Sequence, residues 1–405
     1  MFKLIVKTAF LSLLRRKLRT LLVIFMIAVS LWALLFMQGI YDGMYKQMVD
    51  NAIRSDSGHI SLYAKGFKQE KSIEYQITNL EQIEKKLILN NNIKSYVKRV
   101  KSNGLAATAG YSNFASIYGI DLDKEKEYSK LDKYIYKGKF DFLKRSNGVI
   151  IGYGLAKKLK LKIGKKLIIS SQDINNEINS ISLKVSGILK TNNMALDKSA
   201  VFIDIKKAQR FFGIKGVSQI SLIFNDTAYI KQFQNQLKKT YKDMDILRWD
   251  EQYPALLQSQ QMMEQFSLIS YGAVFFVATI GIFGVVLVSV LERLREFGIL
   301  RAIGTKFSIV ASIIFCESFI IGIAGFIAGV LFGGITLYYF HIYGLDLSSF
   351  SDALDQFGMD TVTYAVIKTK YFTMAFISVF TAMILSILIP LRILKKAKPT
   401  EMING

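Results

Sequence analysis

The sequence predicts an α-helical membrane protein with four transmembrane helices and a large extracytoplasmic α/β domain between the first and second spans. Three observations carry this reading. Half of the 405 residues are hydrophobic and only three are proline. Four runs are long enough to cross a bilayer, which takes about 20 mostly apolar residues in a helix. They are LLVIFMIAVSLWALLFMQGI (21–40), FSLISYGAVFFVATIGIFGVVLVSVL (266–291), FSIVASIIFCESFIIGIAGFIAGVLFGGITLYYF (307–340) and YFTMAFISVFTAMILSILIP (371–390). Three are uncharged and the third carries only Glu317. Finally, the stretch between the first two runs reads as short alternating strands and amphipathic helices.

In residues 1–18, Phe2, Ile5, Val6, Ala9, Phe10, Leu13 and Leu14 recur at helical spacing opposite basic side chains. That pattern predicts an amphipathic helix in the cytoplasmic interface, and it fits an N-terminal extension of the span equally well. Residues 19–42 are the predicted first span. Its apolar core exceeds the roughly 7–15 residues of a signal-peptide core, and no small-x-small site follows, so a retained span is expected.

Residues 43–262 are the predicted extracytoplasmic domain. SGHISLYA (57–64), FASIYGI (114–120), GVIIG (148–152), KKLIIS (165–170), ISLKVSGIL (181–189), AVFIDI (200–205) and QISLIF (219–224) have strand character. NLEQIEKKLIL (79–89), YGLAKKLKLKIG (153–164), with Gly164 ending it, and AYIKQFQNQLKKTY (228–241) have helical character. PALLQSQQMMEQF runs into the second span, 263–291 with its stalk. Residues 292–306 form a short charged cytoplasmic helix, 307–340 the third span, 341–370 an outside loop, 371–391 the fourth span and 392–405 a cytoplasmic tail.

Lysine and arginine placement sets the expected orientation. Lys3, Lys7, Arg15, Arg16, Lys17 and Arg19 precede the first span, and Arg392, Lys395, Lys396 and Lys398 follow the fourth, so both termini are expected inside. Asp346, Asp352, Asp355 and Asp360 against Lys368 and Lys370 suit the outside loop. Residues 41–265 carry 37 Lys and Arg against 23 Asp and Glu, most of the net +22. Long domains are translocated largely regardless of charge, so this does not upset the orientation. Such a domain can attract anionic headgroups or an acidic partner, although the chain is lysine-rich throughout.

Chemistry-bearing groups are scarce. The chain has two histidines, His59 and His341, one cysteine, Cys316, no HExxH pair and no G-x-x-x-x-G-K-[ST] loop. No catalytic residue and no metal ligand is therefore nominated, and Gly152 and Gly154 of IGYGLA are read as turn residues. Counted from Phe307, Glu317 lies about 15 Å along a helix, near mid-bilayer. A structural role among the spans is preferred for it over a proton pathway. Gly322, Gly325, Gly329 and Gly333 form a series that lets helices approach closely.

LERLREFGILRAIGTK (291–306) sets four basic and two acidic side chains and two glycines between two apolar spans. Glu292 with Arg295, and Arg293 with Glu296, stand at i,i+3, so a short helix can satisfy its own charges. LERLREFGILRAIGTKFSIV resembles the segment between the second and third spans of the FtsX-like permeases, the ABC transporter membrane subunits that include MacB, LolC and LolE. RRKLRTLLVIFMIAVS, GVIIGYGLAKKLKLKIGKKLIIS, SGILKTNNMALDKSAVFIDIKKAQRFFG and PLRILKKAKPTEMING resemble other parts of that family in the same order.

The resemblance implies an inner-membrane permease of the mechanotransmission type with a MacB-like periplasmic core domain. It implies a cytoplasmic ABC ATPase dimer that binds ATP and Mg on the permease's behalf, and a second permease copy or paralogue in a homodimer or heterodimer. No cofactor is bound directly and no nucleic acid is involved. Glu292, Arg293, Arg295, Glu296, Gly298, Arg301, Ala302 and Gly304 would form the coupling helix that docks on the ATPase. Within the family the sequence looks most like the LolC and LolE branch, which releases lipoproteins to a periplasmic carrier. Phe36, Ile40, Met44, Met263, Phe266 and Ile269 would then line a lipid or substrate site. Two other readings stand beside it: MacB-like efflux of toxins or peptides with a separate ATPase, and FtsX-like activation of a cell-wall hydrolase.

Overall fold

The computed structural model describes residues 2–70, 72–191, 193–350, 361–397 and 402. Asp352, Asp355, Asp360, Lys398 and the Phe2 side chain, named above, lie outside the described residues. The chain divides into two compact units. One comprises Met1–Tyr45, Ser259–Asp346 and Val362–Gly405, the other Lys46–Gln258 and Leu347–Thr361.

The first unit is helical: α1 (Phe2–Arg15), α2 (Lys17–Ala52), α3 (Pro254–Glu292), α4 (Leu294–Ala302), α5 (Phe307–Tyr343), α6 (Thr369–Ser386) and α7 (Leu388–Lys396). Among the described residues four helical stretches are long and apolar enough to cross a membrane: Lys17–Ser57, Pro254–Glu292, Phe307–Tyr343 and Thr369–Lys396. The chain breaks between α1 and α2 at Arg16, where the Leu13 carbonyl accepts from the Arg16 N–H and from the Thr20 hydroxyl. The break between α6 and α7 has a covalent cause. Pro390 has no N–H to give the Ser386 carbonyl, so the helix kinks at Ile387.

The glycine series forms a groove along α5. An added Cβ would lie 2.8 Å from Ile27 at Gly325, and 2.7 Å from Leu31 and Leu35 at Gly329 and Gly333. Ile27, Leu31 and Leu35 recur every four residues on α2 and fill that groove. Gly322 receives Met383 of α6. Where no hydrophobic force separates helix from lipid, such close approach is what holds helices together. The apolar stripe of α1 is divided. Ala9 and Leu13 are buried, with α1 packed against α5, whereas Leu4, Phe10 and Leu14 are exposed.

The second unit is built on a ten-stranded mixed sheet: β1 (Ile60–Ala64), β2 (Ile93–Ala107), β3 (Ser112–Ile120), β4 (Ile135–Gly138), β5 (Gly148–Gly152), β6 (Lys166–Gln172), β7 (Ile178–Leu189), β8 (Ala200–Asp204), β9 (Gln219–Phe224) and β10 (Met244–Arg248). The order is β10-β1-β9-β2-β3-β8-β5-β7-β4, with β6 pairing to β2 and β7. β3–β8 and β5–β7 are parallel and the other pairs antiparallel. The helices Leu80–Ile88, Tyr153–Lys158 and Ile205–Phe212 contribute Ile83, Leu87, Leu155, Ala208 and Phe212 to its core.

Three strands escape the sequence pattern: β2, β4 and β10. In β2 the alternation is hidden because Arg99, 2% exposed, occupies an interior position. Two local expectations are corrected. The helix at 153 ends at Lys158, not Gly164, because Lys160 takes up a left-handed conformation (φ 51°). Gly152 and Gly154 do not serve an unusual backbone angle. A Cβ at Gly152 would lie 2.5 Å from the Leu196 carbonyl, and one at Gly154 3.0 Å from that of Asp197, so both let the next helix approach.

Candidate functional site

The segment between the second and third spans is held on three sides within the helical unit. Glu292 ends α3 and pairs with Arg16 and with Arg19 (3.8 Å), at the α1–α2 junction. Arg293 caps α4 and gives Nη1 to Glu317 Oε1 at 2.7 Å and Nε to Glu296 Oε2 at 3.1 Å. Arg301 gives Nη1 to the carbonyls of Leu394 and Ala397, at 3.1 and 3.3 Å, and so satisfies acceptors at the end of α7. Phe297 is buried beneath α4, and Gly304, at φ 93°, ends the segment with a turn that disfavours a side chain.

The eight residues expected to form a docking helix therefore divide into two sets. Arg293, Gly298 and Arg301 face the helical unit, whereas Arg295, Glu296, Ala302 and Gly304 are exposed, as is Glu292 despite its pairing with Arg16. Glu292 does not pair with Arg295, a correction with a plain cause: the two lie on opposite sides of the break at Arg293, so their i,i+3 spacing is not helical spacing. The exposed face also carries Ile299 and Ile303, the latter 74% exposed. Sequence reasoning missed both. Apolar residues at i,i+4 are visible in FGILRAIG, but only packing shows that Phe297 turns in and the two isoleucines turn out.

Glu317 is 1% exposed and fully engaged. Besides Arg293 it accepts from Ser12 Oγ (2.5 Å) and Ser289 Oγ (3.2 Å), so it ties α1, α3 and the coupling segment to α5. The mid-bilayer placement is corrected. Its partners sit at the last turn of α3 and just beyond, which sets the carboxylate at one end of the apolar stretch. The 37 residues of α5 span about 55 Å, well beyond the roughly 30 Å hydrocarbon core, so counting from Phe307 overstated the depth.

The six residues proposed to line a lipid or substrate site are not brought together. Phe36, Ile40 and Met44 pack with Leu337 and Phe340. Met263 lines a small cavity with Asp42, Tyr271 and Lys368, and Phe266 and Ile269 are exposed. Near that cavity Asp42 accepts from Tyr371 and from Lys368 Nζ (2.5 Å).

A second polar node lies inside the α/β unit, where the chain from α2 enters the sheet. Arg99 donates through Nε and Nη2 to Glu125 at 2.5 and 2.9 Å, and through Nη1 to the carbonyls of Ser55 and Asp56 at 3.1 and 3.0 Å. The Asp56 carbonyl also accepts from Gln219 and Ser221, and its carboxylate accepts from Lys101 and from the Tyr253 hydroxyl (2.5 Å). Tyr253 immediately precedes α3, so one aspartate joins the strand entry and the strand exit. Burial alone would lower the Arg99 pKa, but Glu125 reverses the shift and raises it. Burial pushes Lys101 down and Tyr118 and Tyr128 up. The node borders a cavity of about 300 Å³. Its residues lie far apart in sequence, and no motif announced them.

Two family models match the chain: the MacB-like periplasmic core domain over residues 20–240, and the FtsX-like permease C-terminal domain over 268–399. The chain is 20% identical over 268 residues to the lipoprotein-releasing system transmembrane protein LolE of Haemophilus influenzae, covering 64% of each chain. It is 26% identical over 238 residues to an uncharacterised ABC transporter permease of Methanocaldococcus jannaschii, covering 55% of this chain and 57% of that one. The chain thus spans less than two thirds of the length of these relatives. The crystal structure of the periplasmic region of MacB from Actinobacillus actinomycetemcomitans covers 52% of this chain and 95% of its own, at 17% identity and a TM-score of 0.36. With the first model matched over more than half of its residues and the second over most of the remainder, the chain belongs to the permease family that joins a MacB-like periplasmic core domain to an FtsX-like permease domain.

Proposed function

We propose that the chain is the membrane subunit of an ABC transporter that works by mechanotransmission, with ATP and Mg bound by a separate cytoplasmic ATPase dimer. The observation that carries this reading is the division of α4 into a locked face and a free one. Glu292, Arg293 and Arg301 fix it to α1, α2, α5 and α7, so a push on its exposed face is passed to the spans rather than absorbed by a flexible loop. Ile299 and Ile303, flanked by Arg295 and Glu296, offer the partner an apolar contact with a charged rim. The sequence carries no P-loop, which is consistent with an ATPase supplied by another chain.

In this reading both termini and α4 are cytoplasmic, the α/β unit is periplasmic, and a second permease copy or paralogue completes the assembly in the inner membrane. The cargo we favour is lipoprotein, released toward a periplasmic carrier, on the strength of the relative whose name states that role. Two experiments test the two levels separately. Co-purification with the ATPase is expected for the wild type and lost for Ile299→Asp/Ile303→Asp; an unchanged yield of complex removes the coupling assignment. Depletion of the protein is expected to leave lipoproteins in the inner membrane, and their normal delivery would refute the cargo.

A further inference from the structure

A basic cavity in the helical unit borders the coupling segment and brings its charges against arginines of α1 and α2. It measures about 440 Å³ and lies between α1, the start of α2 and the end of α3. Arg15, Arg16, Arg19 and Arg293 line it against Glu292 and Glu296. Glu317, behind Arg293, takes up one guanidinium, which leaves the cluster with one cation in excess, and Lys17 stands with Arg15, Arg16 and Arg19 at an adjoining depression. Arg19 Nε is buried and has no hydrogen-bond partner. Arg15 approaches Glu296 only at 4.0 Å and its side chain is 77% exposed. Guanidinium groups with unused donors are suited to phosphate oxygens, which they grip in pairs.

What lies beside the cavity narrows the anion. Leu18, Leu21, Leu22, Phe25 and Val29 form an exposed apolar stripe on α2 that begins at Leu18, next to Arg19 in the chain. From Arg19 to Val29 the helix rises about 15 Å, half of the roughly 30 Å hydrocarbon core. A phosphate held by the arginines thus sits at the head of an apolar surface one leaflet long. Leu11, on the cavity wall, and Leu14 add apolar surface from α1.

We propose that this cavity binds the phosphate headgroup of an anionic phospholipid, with its acyl chains along the Leu18–Val29 stripe. A free phosphate would use the same arginines but none of the stripe, and a zwitterionic lipid would use the stripe while its choline meets a cationic wall.

The test uses the full chain in a neutral detergent, with no ATPase present, so its outcome does not depend on the coupling reading. Thermal unfolding is followed while phosphatidylglycerol, phosphatidylcholine or inorganic phosphate is added. Phosphatidylglycerol is expected to raise the melting temperature saturably, and the other two to leave it unchanged. Arg15→Gln is expected to shift the half-saturating lipid concentration up about fivefold, the usual worth of one basic residue near an anionic surface. Arg16→Gln/Arg19→Gln is expected to abolish the effect. Should that double variant fail to fold, Arg15→Gln decides alone, because its exposed side chain holds nothing together. An equal effect of phosphatidylcholine, an equal effect of inorganic phosphate, or an unaltered midpoint in Arg15→Gln would each overturn the proposal.

Discussion

Arg293 Nη1 and Glu317 Oε1 stand 2.7 Å apart, joining the cap of the short helix α4 to the interior of the helical unit across 24 residues of sequence. The carboxylate is almost wholly enclosed, and the guanidinium side chain is 17% exposed. Removing one member of such a pair leaves a charge without compensation, whereas removing both does not. Glu317→Ala is expected to cost about 3–5 kcal/mol. The double variant Glu317→Ala/Arg293→Ala is expected to lose clearly less than the sum of the single losses in thermal unfolding. Additive losses would show that the two side chains do not depend on one another.

The glycine groove of α5 yields a comparison within one helix. Gly329→Ala brings a methyl against Leu31 and is expected to destabilise by about 1–3 kcal/mol, the usual cost of overpacking. Gly334→Ala meets nothing within 4 Å and is expected to be neutral or slightly stabilising. Equal melting temperatures for the two variants would contradict the packing described here.

Coupling and stability separate on α4. Ile303→Asp alters only the exposed face and is expected to lower substrate-linked ATP hydrolysis at least about tenfold with an unchanged melting temperature, a loss near 1.4 kcal/mol in the coupled step. Arg301→Ala strips partners from the Leu394 and Ala397 carbonyls and is expected to reduce stability by about 1–3 kcal/mol. A stability loss in the first variant, or none in the second, would reverse the faces assigned to the helix.

The α/β unit carries a pH dependence. His59 Nδ1 accepts the Phe224 N–H at 2.9 Å, which only an imidazole unprotonated at that nitrogen can do, and burial lowers its pKa below the ordinary value. Between the folded and unfolded pKa values the unfolded chain binds more protons, so stability rises with pH in that window. The histidine's contribution is therefore complete above about pH 6.5, the unfolded value, and is lost as pH falls through the lower folded value. His59→Asn is expected to flatten this slope when unfolding of the wild type and the variant is compared between pH 7.5 and pH 5.5. A wild-type slope retained in the variant would assign the dependence to another group.

The buried members of the Arg99 node illustrate what local pattern hides. Lys94, Lys98, Arg99 and Lys101 break the strand pattern of β2, yet Arg99 is an interior residue because Glu125, the Ser55 and Asp56 carbonyls and the Tyr128 ring enclose it. Strand β8, by contrast, is apolar up to its final residue, Asp204, and was legible from AVFIDI alone.

Sequence by itself determined the four spans, because runs of about 20 apolar residues leave water only by entering a bilayer. It also determined the α/β character of the large domain, the family, and the groove of four glycines, whose spacing repeats along one helix face. Tertiary structure alone decided which charges meet: Glu292 finds Arg16 rather than Arg295, and Glu317 finds Arg293 and Ser12. It alone turned Ile303 outward and Phe297 inward, and scattered the six residues expected to line one site. The reason is one of range. Hydrophobic periodicity is a property of neighbouring residues, whereas an ion pair between α2 and α3 is set by the packing of helices more than 200 residues apart in the chain.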